Sequence, residues 1–359
     1  PEAQAAGALY VSAENAMFDN TFGGAQVIEV VVFSGQNETD EAQAEPVVKV
    51  DENLLRMAQG VDGNWYGYFG DKTAVAAADT ASNNLDFGLD DNPTGLSVSE
   101  ANNVYINATS GVISNPPALS NYNNTVNEQT GNGVAKSAFS VGQIGVMDAS
   151  DGLQGNEKEW PFIQLYDFTI GDFNVVYEQA GPDEVVTLDY NNADLDDFAS
   201  LELDRSSASQ GSEVHLTITD NQLNIDPTSE DKVIFYVGTN TGTDYRGVSF
   251  TNGTASQMLD ANYLAYDNDF SDNGILKINN NTNSAPNDVL NMTRTTLDDD
   301  GASGGGFLLF WETSENSGVF VNTDNADKSN VAVADDAARG TSATFDYNDS
   351  AQSFVVAND

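Results

Sequence analysis

The chain has no cysteine, one histidine and only 12 basic residues. Without thiols there are no disulfide bonds, no thiolate metal sites and no cysteine nucleophiles. A lone imidazole, His215, cannot build multi-histidine zinc or iron sites and offers serine-triad chemistry a single base. His215 lies in the alternating run 213–219, on one side with Glu213 and Thr217. That spacing predicts a solvated strand position, not a catalytic one.

Against 56 acidic residues, the 12 basic ones leave a net charge of −44. Nucleic-acid binders neutralise phosphates with Lys and Arg, and anionic lipid surfaces attract the same side chains, so neither is an expected partner. Long apolar runs are missing too. The longest clusters, such as 306–311, fall far short of the ~20 residues a spanning helix needs, which predicts no membrane span. The chain starts at Pro1 and not Met, as expected of an N-terminus left by signal removal or cut from a longer chain.

What is present suffices to fold. Hydrophobic residues make up 40%, with 18 Phe, 13 Tyr and 3 Trp, so the chain can bury cores and must carry its charge outside them. A length of 359 residues predicts two domains, or three. Apolar residues recur with period two in β-branched and aromatic runs at 26–33, 47–50, 65–69, 103–106, 162–166, 174–177 and 185–188. The same pattern returns at 214–218, 233–237, 307–311 and 342–345, and Asn, Asp, Gly and Ser clusters lie between the runs. Helical spacing is confined to 52–58 and 255–259. The expected class is all-β, built from sandwiches.

Two echoes suggest an internal repeat. The runs 8–11 and 26–31, with a Gly-containing turn before the second, return as 200–203 and 213–218. Thr187-Leu188-Asp189-Tyr190-Asn191 returns as Thr344-Phe345-Asp346-Tyr347-Asn348. The polar stretch 192–197 then divides a first module, 1–197, from a second, 198–359. Asn-, Ser- and Gly-rich segments at 77–101 and 114–132 read as long surface loops of the first module.

Acceptor sequons for N-glycosylation occur at Asn37, Asn107, Asn123, Asn252, Asn280, Asn291 and Asn348, while Asn92 is followed by Pro93 and discounted. Oxygen-donor residues gather at 219–231, where Asp220, Asn224, Asp226 and Asp231 could converge on a hard cation such as calcium or magnesium. Asp267, Asp269 and Asp272 form a similar run. None has EF-hand spacing, and the competing reading is that these side chains close Asx-turns and solvate loops. No P-loop, dinucleotide fingerprint or nucleophile elbow is present, and among so many acids no carboxylate pair is singled out, so no enzyme activity or organic cofactor is expected.

The acidity itself implies chemistry. Charge of one sign repels itself, and is tolerated where salt shortens the Debye length from ~8 Å to ~3 Å. A potential of about 1–2 kT at a pore or cleft enriches a monovalent cation roughly three- to sevenfold and depletes an anion equally.

Three segments carry a family resemblance: 214–228, 312–320 and 338–349, joined by the N-terminal Gly7-Ala8-Leu9-Tyr10-Val11-Ser12-Ala13-Glu14. The first resembles a "T-I-T-D…L-N-x-D-P" segment, and the second a recurrent "E-T…N-T/S-G-V-F" strand-turn-strand, of the surface-layer proteins of ammonia-oxidising archaea. The resemblance implies tandem immunoglobulin-like β-sandwich domains in an extracellular, glycosylated cell-surface lattice. It further implies hexameric self-assembly, divalent cations, and acidic pores that favour ammonium. Family chains are several-fold longer, so this one reads as an N-terminal portion. The alternative from another class is a secreted calcium-dependent adhesin or carbohydrate-binding tandem.

Overall fold

The computed structural model describes residues 8–33, 46–51, 53–55, 57–59, 64–75, 86–87, 146–147, 163–228, 230–236, 248–250, 276–279, 289–291, 307–323, 328–348 and 350–358. The fold is all-β. Among the described residues helical structure is limited to turns at Ala16–Phe18, 72–75, Asn192–Asp196 and Asn221–Leu223. None is long and apolar enough to cross a membrane. The described residues divide into two compact units. The first holds those up to Asn191 together with Ile225–Thr228, and the second holds Asn192–Asn224 and those from 230 onward.

In the first unit, strands Leu9–Val11, Ile28–Val32, Trp65–Asp71 and Ile163–Tyr166 lie side by side. The first three pair antiparallel and the last joins in parallel. A second sheet runs Thr21–Phe22, Glu184–Tyr190, Gly171–Glu178, Val47–Val50, Asn53–Leu55. Along Glu184–Tyr190 buried residues alternate with exposed ones, as they do when one face of a sheet packs and the other meets water. Val11, Val30, Val32 and Phe69 of one sheet share a core with Phe22, Val50, Val175 and Leu188 of the other. At its centre Phe22 meets the rings of Phe69, Phe168, Phe173 and Tyr190 at centroid distances of 5.3–6.2 Å. The turn 72–75 lies so close to Gly70 that a Cβ there would come within 3.0 Å of Val75 Cγ2.

The helix expected at 52–58 is corrected. Asn53–Leu55 pairs with Val47–Val50 through a two-residue turn in which Asp51 has φ 45°, and Ala58–Gln59 pairs with Trp65–Asp71. Strand pairing buries Leu55 and Met57 in the core, and that burial outweighs a weak local propensity. The segment 255–259 lies outside the described residues, as does 103–106.

The second unit has a six-stranded, wholly antiparallel sheet ordered Ser200–Leu203, Leu216–Thr219, Val319–Val321, Phe307–Glu312, Lys232–Tyr236, Val248–Phe250. A four-stranded sheet runs Ser207–Ala208, Gln352–Val356, Ser342–Tyr347, Leu276–Asn279. The two meet where Phe235 packs edge-on against both Phe310 (5.3 Å) and Tyr347 (6.1 Å).

The early echo has a structural counterpart. In each unit the opening strand pairs antiparallel with the second of the echoed runs. Between them a two-residue strand, Thr21–Phe22 or Ser207–Ala208, crosses to the other sheet and pairs in parallel with that sheet's last strand. A left-handed glycine follows each crossing, Gly24 (φ 57°) and Gly211 (φ 76°), as turns of this hand require. The late echo does not correspond. Thr187–Tyr190 sits on the last strand of its unit, whereas Thr344–Tyr347 sits on the penultimate one. Alternating Thr and Tyr suits any half-buried strand, so the likeness marks the local environment and not an equivalent position.

Candidate functional site

The richest buried polar region lies in the second unit, where two turns meet. The chain leaves strand Leu216–Thr219 at Asp220, which caps the short helix Asn221–Leu223 with its side chain: Gln222 N–H donates to Oδ1 at 2.9 Å. The Tyr347 hydroxyl donates to Oδ2. Asp220 is fully buried, and burial pushes its carboxyl up to about 7 against the pull of these two bonds, with Asp196 raising it further. Its own N–H donates to Gly318 O at 2.9 Å, tying this turn to the hairpin turn 313–318. Asn224 adds a second tie, its Nδ2 donating to Asn316 Oδ1 at 2.8 Å.

Glu312 organises the hairpin turn from within. Its Oε1 accepts from Ser317 N (2.6 Å), Gly318 N (2.8 Å) and Ser317 Oγ (3.2 Å), and its Oε2 from Asp231 N (3.1 Å). Burial again dominates and raises this carboxyl to about 7. A buried network of similar density holds the strand Val319–Val321 nearby: Asn322 Oδ1 accepts Leu216 N, and its Nδ2 donates to Val214 O and Ser329 Oγ. Neither Glu312 nor Asn322 was legible as a structural acid or amide. The sequence signal for Glu312 is an acid closing an apolar strand, followed five and six residues later by Ser317-Gly318.

The four residues expected to converge on a cation are all buried, and they divide between the two units. Asp220, Asn224 and Asp231 belong to the second unit and Asp226 to the first. Asp226 closes an Asx-turn, its Oδ1 accepting Thr228 N at 2.9 Å and Thr228 Oγ1 at 2.6 Å. Asp231 meets Glu312 through its main chain in both directions. Among the described residues no three or more His, Asp and Glu side chains are grouped to hold a metal. Asp267, Asp269 and Asp272 lie outside the described residues, as do the sequons Asn37, Asn107, Asn123, Asn252 and Asn280. Asn291 is exposed on its strand. Asn348 is half-buried with φ 45°, and its Nδ2 donates to the carbonyls of Asp196 and Ala199. His215 is half-buried beside Asp204, at 3.7 Å, and alternates with buried Val214 and Leu216 as its strand pattern predicts.

The Tyr347–Asp220 bond gives a direct expectation. Tyr347→Phe leaves Oδ2 of a buried carboxylate without its donor and destabilises the chain by about 1–3 kcal/mol. The lost bond also held the Asp220 carboxyl down, so it titrates higher still in the variant. The deficit is therefore larger at about pH 8, where the wild-type group is ionised, than at about pH 6. Urea unfolding at both values, in chelator, measures it; a deficit that shrinks on going to pH 8 counts against this geometry.

Fold and site together define a strongly acidic all-β protein of two compact units, whose buried acids serve first as caps of turns. No protein-family model matches the chain, and no curated protein matches it.

Proposed function

We propose that this chain is a structural component of an extracellular surface-layer lattice, non-enzymatic, whose acidic openings enrich small cations such as ammonium and turn anions away. On this reading each unit is an immunoglobulin-like sandwich, the repeat provides two tiling modules, and divalent cations support assembly. The observation that carries it is the charge of −44 on a chain that still folds two apolar cores. Among the described residues only Asp71, Asp220, Asp226, Asp231 and Glu312 are buried acids, and the other described acids are partly or fully exposed. The segments 214–228 and 312–320, which carry the family resemblance, are also those that build the two interlocked turns.

The full-length protein should form ordered two-dimensional sheets with calcium and disperse in chelator, as seen by electron microscopy. Protein that stays monomeric across calcium concentration and pH overturns the lattice. Openings in an intact sheet that proved neutral or positively lined would leave assembly standing and remove the cation enrichment.

Of the two described sequons, Asn291 is the expected glycan carrier. The Asn348 nitrogen is occupied by two main-chain carbonyls in a left-handed turn, where an attached sugar has no room to replace them. Glycopeptide mass spectrometry of protein from a glycosylating host should find sugar on Asn291 and none on Asn348; the reverse occupancy refutes the assignment.

A further inference from the structure

Asn224 leaves one polar atom unanswered. Its side chain is only 3% exposed, its Nδ2 is engaged by Asn316, and its Oδ1 has no hydrogen-bond partner. An unpaired buried amide oxygen is costly and calls for a donor or a cation. It stands where the turns 220–224 and 313–318 are tied together by Asp220 N–H to Gly318 O and by Asn224 to Asn316. Asp220, Asp231 and Glu312 of the same unit are all buried, yet none of the described Lys, Arg and His side chains is. Oxygen donors with no described base buried among them suit a hard cation.

We propose that Asn224 Oδ1 is a ligand of a calcium ion held by these two turns, with the Asp220 carboxylate as the charged member of the donor set. Each oxygen of that carboxylate accepts a hydrogen bond, from Gln222 N and Tyr347 Oη, and a carboxylate oxygen has a second lone pair to offer. The ion therefore adds to the cap and does not dismantle it. Carbonyl and water oxygens complete the six to eight that calcium accepts; magnesium, smaller and strictly octahedral, fits such an irregular set less well. This site rests on the cation association in the proposed function, but it belongs to the single chain and needs no lattice.

The test is calorimetric titration of the unassembled chain, stripped with chelator, in about 0.5 M sodium chloride so that diffuse attraction by a −44 charge is screened. Wild type should show one saturable calcium site that magnesium fills more weakly. Asn224→Leu should lose that site while keeping its far-UV circular dichroism and a cooperative melt. Asn224→Asp, which adds a charge to the donor set, should tighten it roughly tenfold or more. An Asn224→Leu isotherm identical to wild type, or an Asn224→Asp variant that binds no tighter, overturns the proposal and leaves a buried water as the partner of Oδ1. Wild-type sheets that form with no calcium at Asn224 sink only the calcium assignment. Calcium bound at Asn224 in a chain that never assembles sinks only the lattice.

Discussion

Phe22→Ala should lower the stability of the first unit by about 3–5 kcal/mol, the range for removing a buried aromatic ring. The residue is fully buried on a strand of two residues, Thr21–Phe22, which among the described residues pairs only with the strand Glu184–Tyr190. Its ring meets Phe69 of one sheet and Phe173 and Tyr190 of the other. Truncation opens a cavity between sheets that can collapse only by bending paired strands, and it removes several edge-to-face contacts, each worth about 0.5–1.5 kcal/mol beyond burial. Against a total stability of about 5–15 kcal/mol this is a large share. Hydrogen exchange should show protection falling along 171–178 and 184–190 while 342–347 and 352–356 in the second unit keep theirs. Equal loss in both units would contradict the separate cores. Phe22→Leu should cost less, because it keeps apolar volume at the same place.

Glu312→Ala should be equally damaging, and in a pH-dependent way. It strips the acceptor from the main-chain N–H groups of Asp231 and Gly318 and one of the two acceptors of Ser317 N, and each buried donor left unsatisfied costs about 1–3 kcal/mol. The sign of the pH effect follows from burial, which lifts Glu312 from 4.5 to about 7 and Asp220 from 3.8 to about 7. The folded state thus holds these protons more tightly than the unfolded chain does. Their contribution to stability is fully present below the unfolded values, near pH 4, and is lost as pH rises towards 7, with about 1.4 kcal/mol for each pH unit of displacement as an upper scale. The alanine variant has no carboxyl to ionise there, so its deficit is largest at about pH 5 and shrinks towards about pH 8. Glu312→Gln keeps one acceptor oxygen and should flatten the wild-type slope between those values while losing less stability than alanine. Denaturant midpoints in chelator, measured across that range, decide it; a wild-type slope retained in Glu312→Gln would place the titration elsewhere.

The pattern of period two located several of the longer strands closely, including Val47–Val50, Ile163–Tyr166 and Lys232–Tyr236, and passed over others such as Leu276–Asn279, Val319–Val321 and Gln352–Val356. Alternation is a property of each strand by itself, since successive side chains leave a pleated backbone on opposite faces. The same reasoning set His215 apart from buried Val214 and Leu216, where it is half-buried just ahead of the strand, and failed at 52–58, where Leu54, Leu55 and Met57 also satisfy helical spacing. Only pairing with Val47–Val50 and Trp65–Asp71 decides between the two. The site was legible as a stretch of oxygen donors, not as an arrangement. Asp220 and Asp226 are six residues apart, yet they fold into different units and each caps its own turn. The partners that matter, Tyr347 for Asp220 and Asn316 for Asn224, come from 127 and 92 residues further along.

Sequence by itself determined the all-β class, the excess of acid and the early echo, because composition and local alternation are properties of short stretches of chain. Tertiary structure alone decided which carboxylates go inside, that Glu312 pins a turn, and that Asn224 keeps an oxygen in reserve. Those outcomes depend on which distant strand ends meet, and on the cost of taking a charge out of water once they do.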